Sequence, residues 1–156
     1  MARFQPLPDA SEPLASPDTG RARMAWFRYW ADLLKRPFHS ASSTDGIGYT
    51  TGAGGTVTQL TDKSTAVTLN KVCGQITMHG AALGAGAAAG FTFFNSTIGA
   101  GDLLLRNHAS GGLFGAYAIN SQCSAGAASI HVRNTTGGSL SEAVVISFAL
   151  VKATTS

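Results

Sequence analysis

The run Gly48-Tyr49-Thr50-Thr51-Gly52-Ala53-Gly54-Gly55-Thr56-Val57-Thr58-Gln59-Leu60-Thr61 decides how this chain is read, together with its continuation Asp62-Lys63-Ser64-Thr65-Ala66-Val67-Thr68-Leu69-Asn70-Lys71. Val57, Gln59 and Thr61 alternate against Thr56, Thr58 and Leu60, and Val67 and Leu69 flank Thr68 in the same way. A period of two is that of a strand with one buried face. The glycines invite a test as a phosphate cradle, but Gly52-Ala53-Gly54-Gly55 lacks the Gly-Lys-Ser/Thr that completes a P-loop. Turns and close backbone packing explain them better.

Downstream, the chain reads as short strands separated by Gly-rich or Asn-rich turns. The expected strands are about 47–51, 56–61, 65–70, 73–79, 90–95, 102–107, 113–121, 127–133 and 142–152. The last contains the nearly continuous apolar run from Ala143 to Val151, which predicts a central strand buried on both faces. The low-complexity Ala/Gly segment at 80–90 is expected to be a loop. Eight or nine short strands with such turns predict an all-β body, a jelly-roll-like β-sandwich spanning 47–156.

Upstream, residues 1–19 read as an extended anchoring arm, because Pro6, Pro8, Pro13 and Pro17 each remove a donor and disfavour helix before them. Residues 20–36 read as a helix capped by Asp18 or Thr19 and stopped by Pro37, and 37–46 as a linker. Trp26, Trp30, Leu33 and Leu34 fall at i, i+4, i+7 and i+8 and form one apolar stripe, widened by Phe27. Two readings compete: the helix packs on its own β-domain, or it buries its aromatics against another subunit or protein. Large aromatics are favoured interface anchors, so the expected docking set is Phe4, Trp26, Phe27, Trp30, Leu33 and Leu34.

Charge is scarce and uneven. Charged residues make up 12% of the chain, about half the usual share. Residues 1–40 hold Arg3, Arg21, Arg23, Arg28, Lys35 and Arg36 with Asp9, Glu12, Asp18 and Asp32, which leaves few for the longer remainder. A β-domain so poor in charge is poorly suited to stay soluble as an exposed monomer. Burial of its surface in an oligomer of itself is expected. The net charge of +3 comes without a Lys/Arg cluster of nucleic-acid type, and no stretch of about 18 apolar residues could span a membrane. Neither nucleic acid nor membrane is expected as a partner.

The chemistry-bearing residues form no motif. Cys73 and Cys123 are far apart with no Cys-x-x-Cys, and read as small core residues. The N-terminus lacks the apolar core of a signal peptide, so both thiols are expected reduced, and the sequons Asn95-Ser96-Thr97 and Asn134-Thr135-Thr136 carry little weight. His39, His79, His108 and His131 show no metal-ligand spacing. Asp102 and Glu142 are the only carboxylates in the last 90 residues, where a hydrolase needs paired carboxylates or a nucleophile with its base, and no Gly-x-Ser-x-Gly arranges a nucleophile. No enzyme, metal or cofactor is expected. Phe91 and Phe93 share one strand face and Phe94 takes the other, while Phe114 and Tyr117 are placed near a loop surface by Gly111-Gly112 and Gly115.

Three blocks then carry a resemblance: Tyr49 to Gln59, Lys63 to Lys71, and Gly74-Gln75-Ile76-Thr77-Met78. Together they look like a domain that recurs in tailed-bacteriophage and prophage structural proteins. Phe91-Thr92-Phe93-Phe94-Asn95-Ser96 with Ile98, then Tyr117, Ala127 to Asn134 and Ser139 to Ala143, continue it. The leader Phe4-Gln5-Pro6-Leu7-Pro8, with Pro17-Asp18 and Trp26, resembles that of some phage neck, fibre and spike proteins. The resemblance implies a virion structural protein: a short fibre, spike or decoration element, trimeric. It would be held through residues 1–36 by another virion protein of capsid, neck or tail. The alternative is a receptor-binding module of a tail fibre that recognises host glycan. No catalytic residues come with it.

Overall fold

The computed structural model describes residues 13–14, 19, 26–29, 48–49 and 51–153. The chain divides into two units, Met1–Gly48 and Tyr49–Ser156. In the first, Trp26, Phe27, Arg28 and Tyr29 are helical, within the helix expected at 20–36. The anchoring arm, most of that helix and most of the linker lie outside the described residues.

The second unit is built from eight strands: β1 (Gly54–Thr58), β2 (Val67–Thr68), β3 (Cys73–Thr77), β4 (Ala88–Phe94), β5 (Leu103–Ser110), β6 (Tyr117–Ser124), β7 (Ala127–Asn134) and β8 (Val145–Val151). They form two four-stranded sheets, ordered β1-β3-β8-β5 and β2-β4-β7-β6. The edge strands β1 and β2 pair in parallel with β3 and β4, and the other pairs are antiparallel. The body is therefore predominantly β, as the alternation predicted.

The core lies between the sheets. Ile76, Ile146, Phe148 and Leu150 of one sheet face Phe91, Phe93, Ile130 and Val132 of the other, all nearly solvent-free. The Phe93 and Phe148 rings meet across the interior with centroids 4.9 Å apart and planes inclined at 62°, within the edge-to-face range that adds to area burial. Phe94 points outward, so the split expected among Phe91, Phe93 and Phe94 holds.

Several expectations are corrected. Among the described residues of the strand expected at 47–51, none is in a strand: Gly48 and Tyr49 are irregular and Thr51 is in a turn. Pairing of β1 begins only at Gly54 with Cys73, so nothing pairs with the Tyr49 backbone, and its hydroxyl instead donates to the Leu150 carbonyl. The strand expected at 65–70 shrinks to Val67–Thr68, because only these two residues find a register with β4. Strand β8 is central, between β3 and β5, but is not buried on both faces. Ile146, Phe148 and Leu150 are buried, whereas Val145, Ser147, Ala149 and Val151 are only half covered. A two-layer sandwich covers just one face of each sheet. The Ala/Gly segment is a loop as expected, except that β4 takes its last residues from Ala88 onward.

Glycine is required where β3 meets β1. A Cβ on Gly74 would lie 2.1 Å from the Gly55 carbonyl oxygen, so the parallel pair closes only around a residue without a side chain.

Candidate functional site

The described part of the expected docking set is Trp26 and Phe27. Trp26 and Tyr29, three residues apart, meet edge to face with centroids 6.3 Å apart. Phe27 is 63% exposed, an unfavourable setting for a large aromatic that a partner would relieve. Phe4, Trp30, Leu33 and Leu34 lie outside the described residues.

The body has two distinct ends. Tyr49 is tied to Leu150 near the end of β8. The chain leaves β8 at the same end, where Lys152 forms an ion pair with Asp102 at 2.6 Å. That carboxyl is held below its ordinary value first by the Lys152 hydrogen bond, then by the Gly99 N–H, 2.7 Å away. The opposite end is marked by Val145, at the start of β8, paired with Ser110 of β5. Beyond Ser110 the β5–β6 loop displays Leu113 and Phe114, 71% and 86% exposed. Sequence placed Phe114 correctly. Tyr117 is instead buried, and its phenol donates to the Glu142 carboxylate at 2.5 Å. Burial and that carboxylate together push the phenol well above its ordinary range, while the same bond lowers Glu142.

The loop carrying Leu113 and Phe114 is firmly built. His108 Nε2 lies 3.0 Å from the Ser110 carbonyl and 2.7 Å from that of Gly111, so it carries the proton and donates to both. The His108 ring also stands edge-on to Tyr117 at 5.8 Å. Gly111 has φ of +76°, and a Cβ there would lie 2.2 Å from the Ala143 carbonyl oxygen. The Ala116 N–H closes a turn on Leu113 O.

Buried polar residues that sequence reasoning passed over hold the other loops. Asn134 is solvent-free. Its amide nitrogen reaches the carbonyls of Leu83, Gly84 and Gly138 at 3.0, 3.0 and 2.7 Å. Its oxygen accepts from Thr136 N–H and hydroxyl at 2.9 and 2.8 Å. Asn95 repeats the device after β4, donating to Lys71 O at 2.7 Å and accepting from Thr97 N–H and hydroxyl. Both sequons are thus folding elements whose asparagines are closed to modification in the folded body. The signal was present: an Asn ending a strand, followed two residues later by Thr, occurring twice. Gln59 and Lys63 form a third clasp. Gln59 donates to Lys63 O and Thr65 O and accepts from His79 N–H. The Lys63 ammonium donates to His79 O and Glu142 O at 2.6 and 2.7 Å. Burial lowers the Lys63 pKa, and nearby Glu142 partly offsets this.

The outer faces of the sheets differ. On the β2-β4-β7-β6 sheet, His131 sits in mid-strand and its ring covers Gly90. On the β1-β3-β8-β5 sheet, Leu103 and Leu105 are 58% and 56% exposed beside Val151 and Ala149. Cys73 lies in the same row as Ala149, so it faces outward and is not a core residue. Cys123 packs partly against the core, and burial raises its thiol pKa. Among the described residues, no group of three His, Cys, Asp or Glu could hold a metal ion, and no helix is long and apolar enough to cross a membrane. Comparison of the chain with protein families, curated proteins and solved structures yields no match.

Proposed function

We propose that this chain is a structural protein of a bacteriophage virion, a short fibre, spike or decoration element. Residues 1–36 attach it to another virion protein of the capsid, neck or tail. Its body is a jelly-roll-like β-sandwich that self-associates as a homotrimer and projects outward, with no catalytic role. The antiparallel pairs β3–β8 and β4–β7 at the heart of the two sheets support the jelly-roll reading, and the parallel edges β1 and β2 are its departure from an all-antiparallel barrel.

One observation carries the proposal beyond the resemblance of residues. The body is entered at Tyr49 and left after Val151 at one end, and it displays an uncharged apolar loop at the other. This polarity suits a module held at its base with its tip presented. The test is deletion of residues 1–36 in the producing phage or prophage. Particles should then lack the protein while the body still accumulates in soluble form. Incorporation of the shortened chain would overturn the anchoring role.

Phe114 favours a second reading, recognition of a host glycan by the tip, since an exposed aromatic ring is a stacking platform for sugars. Binding of the full chain to host cells, abolished by Phe114→Ser, would establish it. Undiminished binding would reject it.

A further inference from the structure

We propose that the free edge of β4, from Ala88 to Thr92, is a strand-addition site for an extended segment of another virion protein. The inference rests on the virion role proposed above only for the source of that segment. The edge itself stands on the hydrogen-bond pattern.

In an antiparallel ladder, alternate residues turn both backbone groups to the same neighbour. Two bonds fix the phase between β4 and β7: Asn134 N–H donates to Ala87 O at one end and Asn95 N–H to Gly126 O at the other, both at 2.9 Å. With Ala89↔Val132, Phe91↔Ile130 and Phe93↔Ala128 in register between them, Ala89, Phe91 and Phe93 bond β7. Ala88, Gly90, Thr92 and Phe94 turn their N–H and C=O groups the other way. There β2 meets only Phe93 and Phe94, and Leu69 N–H takes Phe94 O. A longer β2 would set Thr65 against Gly90 O and Thr92 N–H. Thr65 is engaged elsewhere: its N–H donates to Asp62 O at 3.2 Å, and its C=O accepts from Gln59 Nε2 at 2.8 Å. Among the described residues, the Gly90 N–H and C=O, the Thr92 N–H and the Ala88 C=O are left without a partner.

The opposite side of the sandwich is closed. There Arg106 Nε donates to Ile119 O at 3.0 Å, and the Ser121 hydroxyl reaches Leu104 O at 3.5 Å. Native edges are often guarded by charge or proline, and Ala88-Ala89-Gly90-Phe91-Thr92 has neither. The complement of an open ladder is another strand, whose own N–H and C=O groups repeat at the same spacing. From Ala88 to Thr92 the edge runs about 13 Å, room for about five residues in line with β2. Beside it on the outer face lies a depression of about 200 Å³ lined by Gly90, Thr92, Ser129 and His131, which takes one side chain of the incoming strand. That face carries Arg133, opposite Ala88, and no carboxylate, so acidic flanks suit the strand. A second copy is a poorer occupant, because β4 against β4 makes a twofold pair that cannot close on three. Residues 1–19 of another copy are poor too, since Pro6, Pro8, Pro13 and Pro17 have no N–H to give.

The test uses the full chain and, as probe, the fluorescein-labelled peptide Glu-Thr-Val-Thr-Val-Thr-Glu. In the free chain, amide exchange should be at least about a hundredfold faster at Gly90 and Thr92 than at Ala89 and Phe91. The probe should bind and slow exchange at Gly90 and Thr92. Ala88→Pro should weaken it at least about tenfold with circular dichroism unchanged, because the Ala88 N–H bonds nothing in the ladder. N-methylation of every Thr and Val of the probe should abolish its binding to wild type. Slow exchange at Gly90 and Thr92 at every dilution, or undiminished binding of the methylated probe, overturns the site. Slow exchange that appears only at high concentration assigns the edge to a second copy and overturns the source. On purified particles, p-benzoylphenylalanine in place of Ala88 should cross-link to a different virion protein. A cross-link to this chain alone overturns that source, whereas particles without the chain refute the virion role and leave the peptide result standing.

Discussion

Replacing Asn134 by Ala isolates the buried asparagine clasp. The side chain is solvent-free and makes contacts to Leu83, Gly84, Gly138 and Thr136. Its amide has two protons for three carbonyls, so one is shared, and its oxygen takes two donors. Four effective hydrogen bonds at about 1 kcal/mol each give ~4 kcal/mol. That figure is softened because each carbonyl keeps another donor. Leu83 O retains Leu140 N–H, Gly84 O retains Ala87 N–H, and Gly138 O retains the Thr136 hydroxyl. A loss of about 3 kcal/mol is expected, or roughly 10–15 °C in Tm for a body of this size. Urea unfolding followed by circular dichroism measures it, at fixed protein concentration because any assembly would add apparent stability. Asn134→Asp should be worse than Ala despite equal size, since it sets a carboxylate against three carbonyls. A loss under about 1 kcal/mol for Ala, or a tolerated Asp, would refute the reasoning.

Gly74→Ala should cost at least about 2 kcal/mol and release β1, because the new Cβ would meet the Gly55 backbone at 2.1 Å; hydrogen exchange at Val57 checks it, and native protection there would count against the close approach. Acid should destabilise the body. Asp62, Asp102 and Glu142 all have folded pKa values below their ordinary 3.8, 3.8 and 4.5. Their contribution is present above those values and is lost as pH falls through the lowered ones. Tm should therefore be flat near neutrality and drop below about pH 4.5, with a shallower drop in Asp102→Asn. Phe114→Ser should leave Tm within about 2 °C of wild type, since the ring is exposed; a larger fall in a melting scan would mean that the loop is supported by contacts of that ring.

Alternation made the strands legible. With turn spacing and the apolar run of the last strand, it placed β3, β4, β5, β7 and β8 nearly at their observed positions, and the paired faces of Phe91, Phe93 and Phe94 followed from the same period. What it missed has a common physical origin in long-range pairing. Of the first expected strand, the described residues Gly48, Tyr49 and Thr51 find no register partner, and β2 is short because only two of its residues reach β4. An apolar run such as Ala143 to Val151 cannot by itself reveal whether its second face is covered by its own chain or by another. The asparagine clasps leave a local mark, an Asn with Thr two residues on, but the loop carbonyls they hold lie up to 51 residues away and cannot be read from it. At the tip, glycine spacing exposed Phe114 correctly, but only the fold could show that Tyr117 turns inward to Glu142.

Quantitative mass spectrometry of gradient-purified phage particles from a host carrying this sequence tests the central claim most directly. The account predicts the intact chain in those particles, at a copy number that is a multiple of three relative to the protein that holds it. Particles complete and infectious without the chain would contradict it.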